Sequence, residues 1–271
     1  DGFKQNIYSE FRDYDLLKIK NKALDNLKYE KLATVLNVTI AKGKNEDQIR
    51  PIFDYAVKND FIRTVNLTCY IRSGKGRDFL PDNSIMPDDL IDIIEQQTNG
   101  RIRRDKVLLF QKLLYAYMSF LKRRTCLYIQ YYWIYRDNDG YKPIDELIGL
   151  QRIEKVLDRY KNLMAKNGIL ARVYLLLLLP WRIINFNSIW LLADFIKVVF
   201  SHLFKIGEYS GKSSRFVQLI FSTACDPCKA DFEIAQRCHI GIIYKDRYGE
   251  IKRNDENGLY LLDSEYKNTK K

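Results

Sequence analysis

The first hundred residues alternate between helical and strand periodicity, and no other feature constrains the fold as much. Residues 15–27 place Leu16, Leu17, Ile19, Ala23, Leu24 and Leu27 on one helical stripe with lysines opposite. Residues 33–41 are a β-branched, strand-like run, and Gly43 breaks it. Asn45 then stands where a helix N-cap belongs, with Gln48 three residues on as in a capping box, and the repeat Ile49, Ile52, Phe53, Ala56 carries a helix to about Lys58. Residues 62–69 read as a second strand, in which Val65, Leu67 and Cys69 alternate with more polar neighbours. A loop with Arg72, Gly74, Gly76 and Arg77 follows, and Pro87 with Asp88 and Asp89 opens the next helix. Proline loses nothing at the first helical position, and carboxylates favour the positive end of the helix dipole. This order implies parallel strands joined by crossover helices, hence an α/β fold.

The later sequence has a different grammar. Residues 106–122 form an apolar helix ending in a basic triplet, and residues 127–136 an aromatic strand running into the hairpin turn Asp137-Asn138-Asp139-Gly140. Residues 144–166 return to helical periodicity, and residues 240–244 and 250–253 flank another turn. The chain therefore divides into residues 1–105 and a helix-rich α+β region, 106–271. Residues 173–204 are the most hydrophobic part. The run 173–179 is expected to stop at Pro180, Trp181 and Arg182, and residues 189–204 contain Asp194, Lys197 and His202. Neither piece reaches the roughly 20 uncharged residues of a spanning helix. Two buried helices are expected, with a helix in the membrane interface or along a channel for an apolar substrate as the alternative.

An apolar fraction of 46% in 271 residues suffices for a sizeable core. The formal charge of +11 favours anionic partners in general, but the excess is spread widely. Short basic clusters at Arg101, Arg103 and Arg104, and at Lys122 to Arg124, are not interleaved with aromatics on a nucleic-acid module, so no nucleic-acid partner is expected. The sequence begins at Asp1-Gly2 without methionine and is read as cut there. Five cysteines, an odd number without a secretory signal, point to a reducing cytoplasm rather than a disulfide scaffold. Cys225, Cys228 and Cys238 lie close together, with His239 adjacent. Thiolates so spaced suit an iron–sulfur cluster or tetrahedral zinc, and ordinary buried thiols are the third reading. Cys69, in a strand, reads as core, and His202 as a structural histidine. Nothing pairs His202 with a nucleophile, so no hydrolytic triad is expected.

Several segments, in order along the chain, resemble one known family. They are Asp1-Gly2-Phe3 with Tyr8, Arg12 and Asp15-Leu16-Leu17; the strand and turn Asn37-Val38-Thr39-Ile40-Ala41-Lys42-Gly43-Lys44-Asn45; Val65-Asn66-Leu67 with the loop to Arg77; and Glu95-Gln96-Gln97-Thr98-Asn99-Gly100. Cys126 with Asp139-Gly140-Tyr141, and then Asp226-Pro227, Asp231-Phe232 and Arg237-Cys238, continue the series. Together they look like the C-terminal portion of a radical S-adenosylmethionine enzyme. The type is that of the molybdenum-cofactor synthases, in the branch with the archaeal tetraether lipid synthases.

This resemblance implies the C-terminal half of a partial (β/α) barrel, followed by the helix-rich region. It implies S-adenosylmethionine as cofactor, with Asn37 near its methionyl or ribose end, Thr39 and Asn66 lining the same barrel mouth, and Arg72 or Arg77 meeting a carboxylate or phosphate. It also implies a 4Fe-4S cluster whose Cys-x3-Cys-x-x-Cys loop is not among the 271 residues and is expected upstream. Cys126, Cys225, Cys228 and Cys238 would hold an auxiliary 4Fe-4S cluster. The family's further C-terminal cysteine, and the one before the hairpin, have no counterpart here. A reductant protein and a hydrophobic small-molecule or lipid substrate are the implied partners, with contact to a membrane surface. The rival readings are a non-catalytic zinc-stabilised or membrane-surface-binding module, and a degenerate radical S-adenosylmethionine scaffold.

Overall fold

The computed structural model describes residues 1–12, 14–70, 83–122, 126, 129–138, 140–183 and 215–223, and the backbone of residues 243–245 and 251–253. Two helices come first, α1 (Gln5–Arg12) and α2 (Leu17–Tyr29). Strand β1 (Thr34–Ile40), helix α3 (Ile49–Lys58) and strand β2 (Ile62–Cys69) then form the unit that the alternation predicts. β1 and β2 are parallel, with Val38 opposite Leu67 and Ile40 opposite Cys69. Helices α4 (Pro87–Gln97) and α5 (Arg104–Phe120) follow. At the head of α4 the Asp89 carboxylate accepts the Met86 N–H at 2.8 Å, so the acidic first turn caps the helix as its charge suggests.

The aromatic run is strand β3 (Ile129–Asp137), which turns into β4 (Gly140–Pro143) as an antiparallel hairpin. Helices α6 (Ile144–Leu147), α7 (Leu150–Lys166) and α8 (Gly168–Ile183) lead towards β5 (Phe216–Thr223). A separate antiparallel pair, β6 (Ile243–Lys245) and β7 (Ile251–Arg253), matches the second predicted hairpin. The main sheet has the order β1-β2-β5-β3-β4. β5 is parallel to β2 and antiparallel to β3. The sheet is therefore mixed, and it joins strands from both sides of residue 105. Strand β5, at its centre, has no counterpart in the elements read from the sequence.

Side chains alternate across a strand, so each strand divides its residues between two faces. On one face Val65, Leu67 and Cys69 of β2 align with Val217, Leu219 and Phe221 of β5 and with Tyr132 and Ile134 of β3, all buried. Ile49, Ile52, Phe53 and Ala56 of α3 and Leu90, Ile91 and Ile94 of α4 complete this core. Removing a side chain such as Phe53, which is 2% exposed, costs about 3–5 kcal/mol in a core of this kind.

Polar side chains hold the helix ends. Glu95 of α4 accepts the Arg104 N–H at the start of α5 at 3.0 Å, and Gln97 accepts the Arg50 N–H in the first turn of α3 at 2.8 Å. Each satisfies a donor that a helix N-terminus leaves without an intrahelical partner. α4 ends in a Schellman motif. Gly100 N–H reaches the Glu95 carbonyl at 2.8 Å and Asn99 N–H the Gln96 carbonyl at 3.1 Å, with Asn99 at φ 53°. The Glu-Gln-x-Thr-x-Gly element is thus a joint between three helices.

Two local expectations change. Asn45 does not cap α3. It is fully buried, its Oδ1 accepts the Ala41 N–H at 2.9 Å, and its Nδ2 donates to the Thr39 and Asp1 carbonyls, each at 2.8 Å. Gln48 likewise leaves the capping-box role and accepts the Phe3 N–H at 2.9 Å. The turn after β1 competes for these amides and wins. α8 does not stop at Pro180 but runs on to Ile183. Proline there forfeits a single intrahelical donor near the end of the helix. α8 is also not a buried helix. Ala171 and Leu175 are buried, whereas Ile169, Leu176, Leu177 and Trp181 are exposed. The second hydrophobic piece, residues 189–204, lies outside the described residues.

Candidate functional site

The face of the sheet opposite the α3–α4 core is polar where the parallel strands run. Asn37 and Thr39 come from β1, Asn66 and Thr68 from β2 and Ser222 from β5. The register sets Asn37 beside Asn66, and Thr39 beside Thr68 beside Ser222, as two rungs across the strands. Asn37 is exposed, Thr39, Asn66 and Thr68 are half-buried, and Ser222 is buried.

These side chains bond to one another. Asn66 Nδ2 donates to Asn37 Oδ1 at 3.0 Å, Ser222 Oγ donates to Asn66 Oδ1 at 2.9 Å, and the Thr68 and Ser222 hydroxyls lie 3.2 Å apart. β-branched Thr39 and Thr68 suit strands on their own account, but two asparagines side by side in parallel strands do not. Their amides are kept where a half-open face lets them bond laterally and also face water. Among the described residues the face therefore offers neutral donors and acceptors and no paired nucleophile and base. It can hold hydroxyls, carbonyls or a carboxylate of a ligand by hydrogen bonds.

Asp1 closes the outer edge of β1. Its carboxylate accepts the Thr39 N–H at 3.2 Å and pairs with Arg12 at 2.8 Å. Gly2 follows at φ 146°, and a Cβ there would fall 2.7 Å from Gln48 Cγ, so the Asp-Gly-Phe segment needs glycine at its middle position.

Cys126 is half-buried, three residues ahead of β3 and beside Tyr115 of α5 and Tyr131 of β3. Burial pushes both phenols above the ordinary tyrosine range, and the neighbouring Cys126 adds to that. Tyr131 pairs with Ile220, which pairs in turn with Asn66, so Cys126 stands two strands from the amide rung. Cys69 is 1% exposed on the apolar face, the core position expected of it.

Of the residues singled out in the sequence, Asn37, Thr39 and Asn66 are brought together, and Cys126 lies just ahead of β3, two strands away from Asn66. Arg72, Arg77, Cys225, Cys228, Cys238 and His239 lie outside the described residues. No group of three or more metal-ligating side chains occurs among the described residues, and no helix among them is long and apolar enough to cross a membrane. Thr68 and Ser222 were not anticipated. Alternation of Val217, Leu219 and Phe221 with Gln218 and Ser222 was the available signal for β5, but no local pattern tells which strand it joins.

No family model matches the chain. Over 108 residues it is 31% identical to the 7,8-dihydro-6-hydroxymethylpterin dimethyltransferase of Methanocaldococcus jannaschii, a stretch covering 39% of this chain and 21% of that protein. The chain thus spans about a fifth of the length of the curated relative it matches. The similarity is consistent with the radical S-adenosylmethionine superfamily and selects no branch within it.

Proposed function

We propose that this chain is part of a radical S-adenosylmethionine enzyme, and that the Asn37–Asn66–Ser222 face of the sheet is the wall against which the cofactor lies. The observation that carries this reading is the polar, half-open face on parallel strands. Parallel sheets are ordinarily covered on both sides by apolar layers, whereas a barrel interior that holds a ligand needs polar groups aimed inward. The donor set fits a nucleoside with its amino-acid tail. The amides and hydroxyls of the face, all uncharged, match ribose hydroxyls and a carboxylate. The similarity to a methyltransferase supports the same cofactor.

When bound together with a reduced 4Fe-4S cluster, S-adenosylmethionine supplies a 5′-deoxyadenosyl radical that takes hydrogen from carbon. The residues of this chain bind and orient it, and the cluster loop belongs to sequence outside the 271 residues. An auxiliary cluster on Cys126, Cys225, Cys228 and Cys238 is part of this reading. Its support is the register of β3 and β5. Ile129 faces Ser222, Cys126 precedes Ile129 by three residues, and in the sequence Cys225 follows Ser222 by three.

The apolar face of α8 supports an apolar or lipid substrate met at a membrane surface. Arg182, exposed at the end of α8, suits anionic headgroups, and α8 carries no acidic residue. A second reading takes its support from the pterin in the relative's name. A polar heterocycle would suit the amide rung better than a lipid would, and the reaction would then be methylation.

The test is anaerobic preparation of the full-length protein with iron and sulfide, followed by incubation with S-adenosylmethionine and a reductant. Absorbance from a cluster and formation of 5′-deoxyadenosine are expected. A colourless protein that forms none would overturn the reading, and zinc without iron would favour the structural module in its place.

A further inference from the structure

We propose that Thr68, Ser222 and Asn66 form a directed hydrogen-bond relay that fixes the amide of Asn37, so that its NH2 group faces the ligand and selects an acceptor oxygen. This rests on the reading of the polar face as the cofactor wall, and it names what that wall recognises.

The direction follows from counting protons. A serine hydroxyl has one proton to donate, and that of Ser222 goes to Asn66 Oδ1 at 2.9 Å. In the 3.2 Å contact with Thr68, Ser222 must therefore accept, and Thr68 donates. Asn66, its carbonyl held by Ser222, turns its amide nitrogen to Asn37 Oδ1 at 3.0 Å. The donors follow head to tail, from Thr68 on β2 out to Ser222 on β5, back to Asn66 on β2 and on to Asn37 on β1. The carbonyl of Asn37 is thereby occupied, while its NH2 group meets no partner among the described residues, and the residue is exposed. Bonds running head to tail polarise one another, which strengthens the donor at the open end.

Ser222 is the anchor. It is 9% exposed, and it belongs to a strand 156 positions from Asn66 in the chain. Without its hydroxyl, Asn66 is free to rotate its amide, and Asn37 loses the bond that orients it. Thr68, Ser222 and Asn66 are thus positioning residues and act through Asn37.

The experiment uses the full-length protein and two readouts. In asparagine-labelled protein without ligand, nuclear magnetic resonance should show the Asn66 side-chain amide protected from exchange with water and that of Asn37 exchanging freely. Ser222→Ala should abolish the protection, and Ser222→Thr should restore it. The opposite pattern, Asn37 protected and Asn66 free, overturns the relay. By calorimetry, Ser222→Ala should weaken S-adenosylhomocysteine binding by about tenfold, roughly one hydrogen bond, with recovery in Ser222→Thr. Undiminished affinity in Ser222→Ala overturns the proposal. The same loss for 5′-methylthioadenosine, which lacks the carboxylate, assigns the selected oxygen to the ribose, and its absence assigns it to the carboxylate. A wild-type protein that binds neither compound overturns the cofactor wall, and the exchange pattern then decides the relay on its own.

Discussion

Arg136 of β3 reaches back eighty residues and donates to the Ala56 carbonyl at the end of α3, through Nη2 at 2.8 Å and Nε at 3.2 Å. The same guanidinium donates to the carbonyls of Asn59, at 2.9 Å, and Ile62. The Ala56 and Asn59 carbonyls sit where α3 runs out of intrahelical donors and its dipole is negative, and Ile62 opens β2. Burial first, and then Arg63, lower the Arg136 pKa to about 10. Arg136→Met should leave three buried carbonyls without their donor and cost about 3 kcal/mol. Urea unfolding measures this. A loss below about 1 kcal/mol would mean that water reaches these carbonyls.

Gln111 of α5 does for β3 what a neighbouring strand would do. β4 pairs only with the end of β3, and upstream of that the Gln111 side chain accepts the Tyr131 N–H at 2.9 Å and donates to the Ile129 carbonyl at 3.4 Å. Gln111→Leu keeps the volume and removes both bonds. It should cost about 1–3 kcal/mol and expose a strand edge that promotes self-association. Chemical unfolding and light scattering report the two effects, and an unchanged midpoint would refute the role.

Tyr132 ties stability to alkaline pH. Its phenol is fully buried and hydrogen-bonds Asp145, and burial followed by the Asp145 charge raises its pKa well above the ordinary value of 10. Above pH 10 the unfolded chain gives up this proton and the folded one keeps it. The folded state then binds more protons, and stability falls as pH rises. The contribution is complete below pH 10 and is lost progressively above it. In Tyr132→Phe the decline of the urea midpoint between about pH 9 and 11 should be shallower than in the wild type. Equal slopes would assign the alkaline loss to other tyrosines.

What could be read from the sequence, and what could not, follows from the range of each interaction. β1, α3, β2 and α4 were legible because periodicity and the Pro87-Asp88-Asp89 start are local signals, and the crossover then dictates parallel pairing. The turn of Asn45 was misread because its partners, Asp1 and Thr39, include one 44 positions away. At the site, Asn37 and Asn66 came from resemblance. Their bond to each other requires the register, and Ser222 enters only because β5 pairs with β2. Insertion of a late strand beside an early one is a long-range choice, set by burial of Val217, Leu219 and Phe221 on one face. No window of sequence contains both partners of that choice.

α8 gives the last prediction. Leu177 and Trp181, four residues apart, are 63% and 79% exposed, and they lie on one side of the helix with Val173 and Leu170. Burying such side chains in a lipid interface contributes about 1.5–3 kcal/mol each at most, and the exposed Arg182 adds attraction to anionic headgroups. The wild-type protein should therefore sediment with vesicles containing phosphatidylserine and do so less in high salt. Leu177→Glu combined with Trp181→Glu should reduce the bound fraction by about tenfold or more. The far-ultraviolet spectrum should stay the same, because neither side chain is part of the sheet core. If the wild type stays in the supernatant at every lipid concentration, the face does not bind membranes, and the polar-substrate reading gains accordingly.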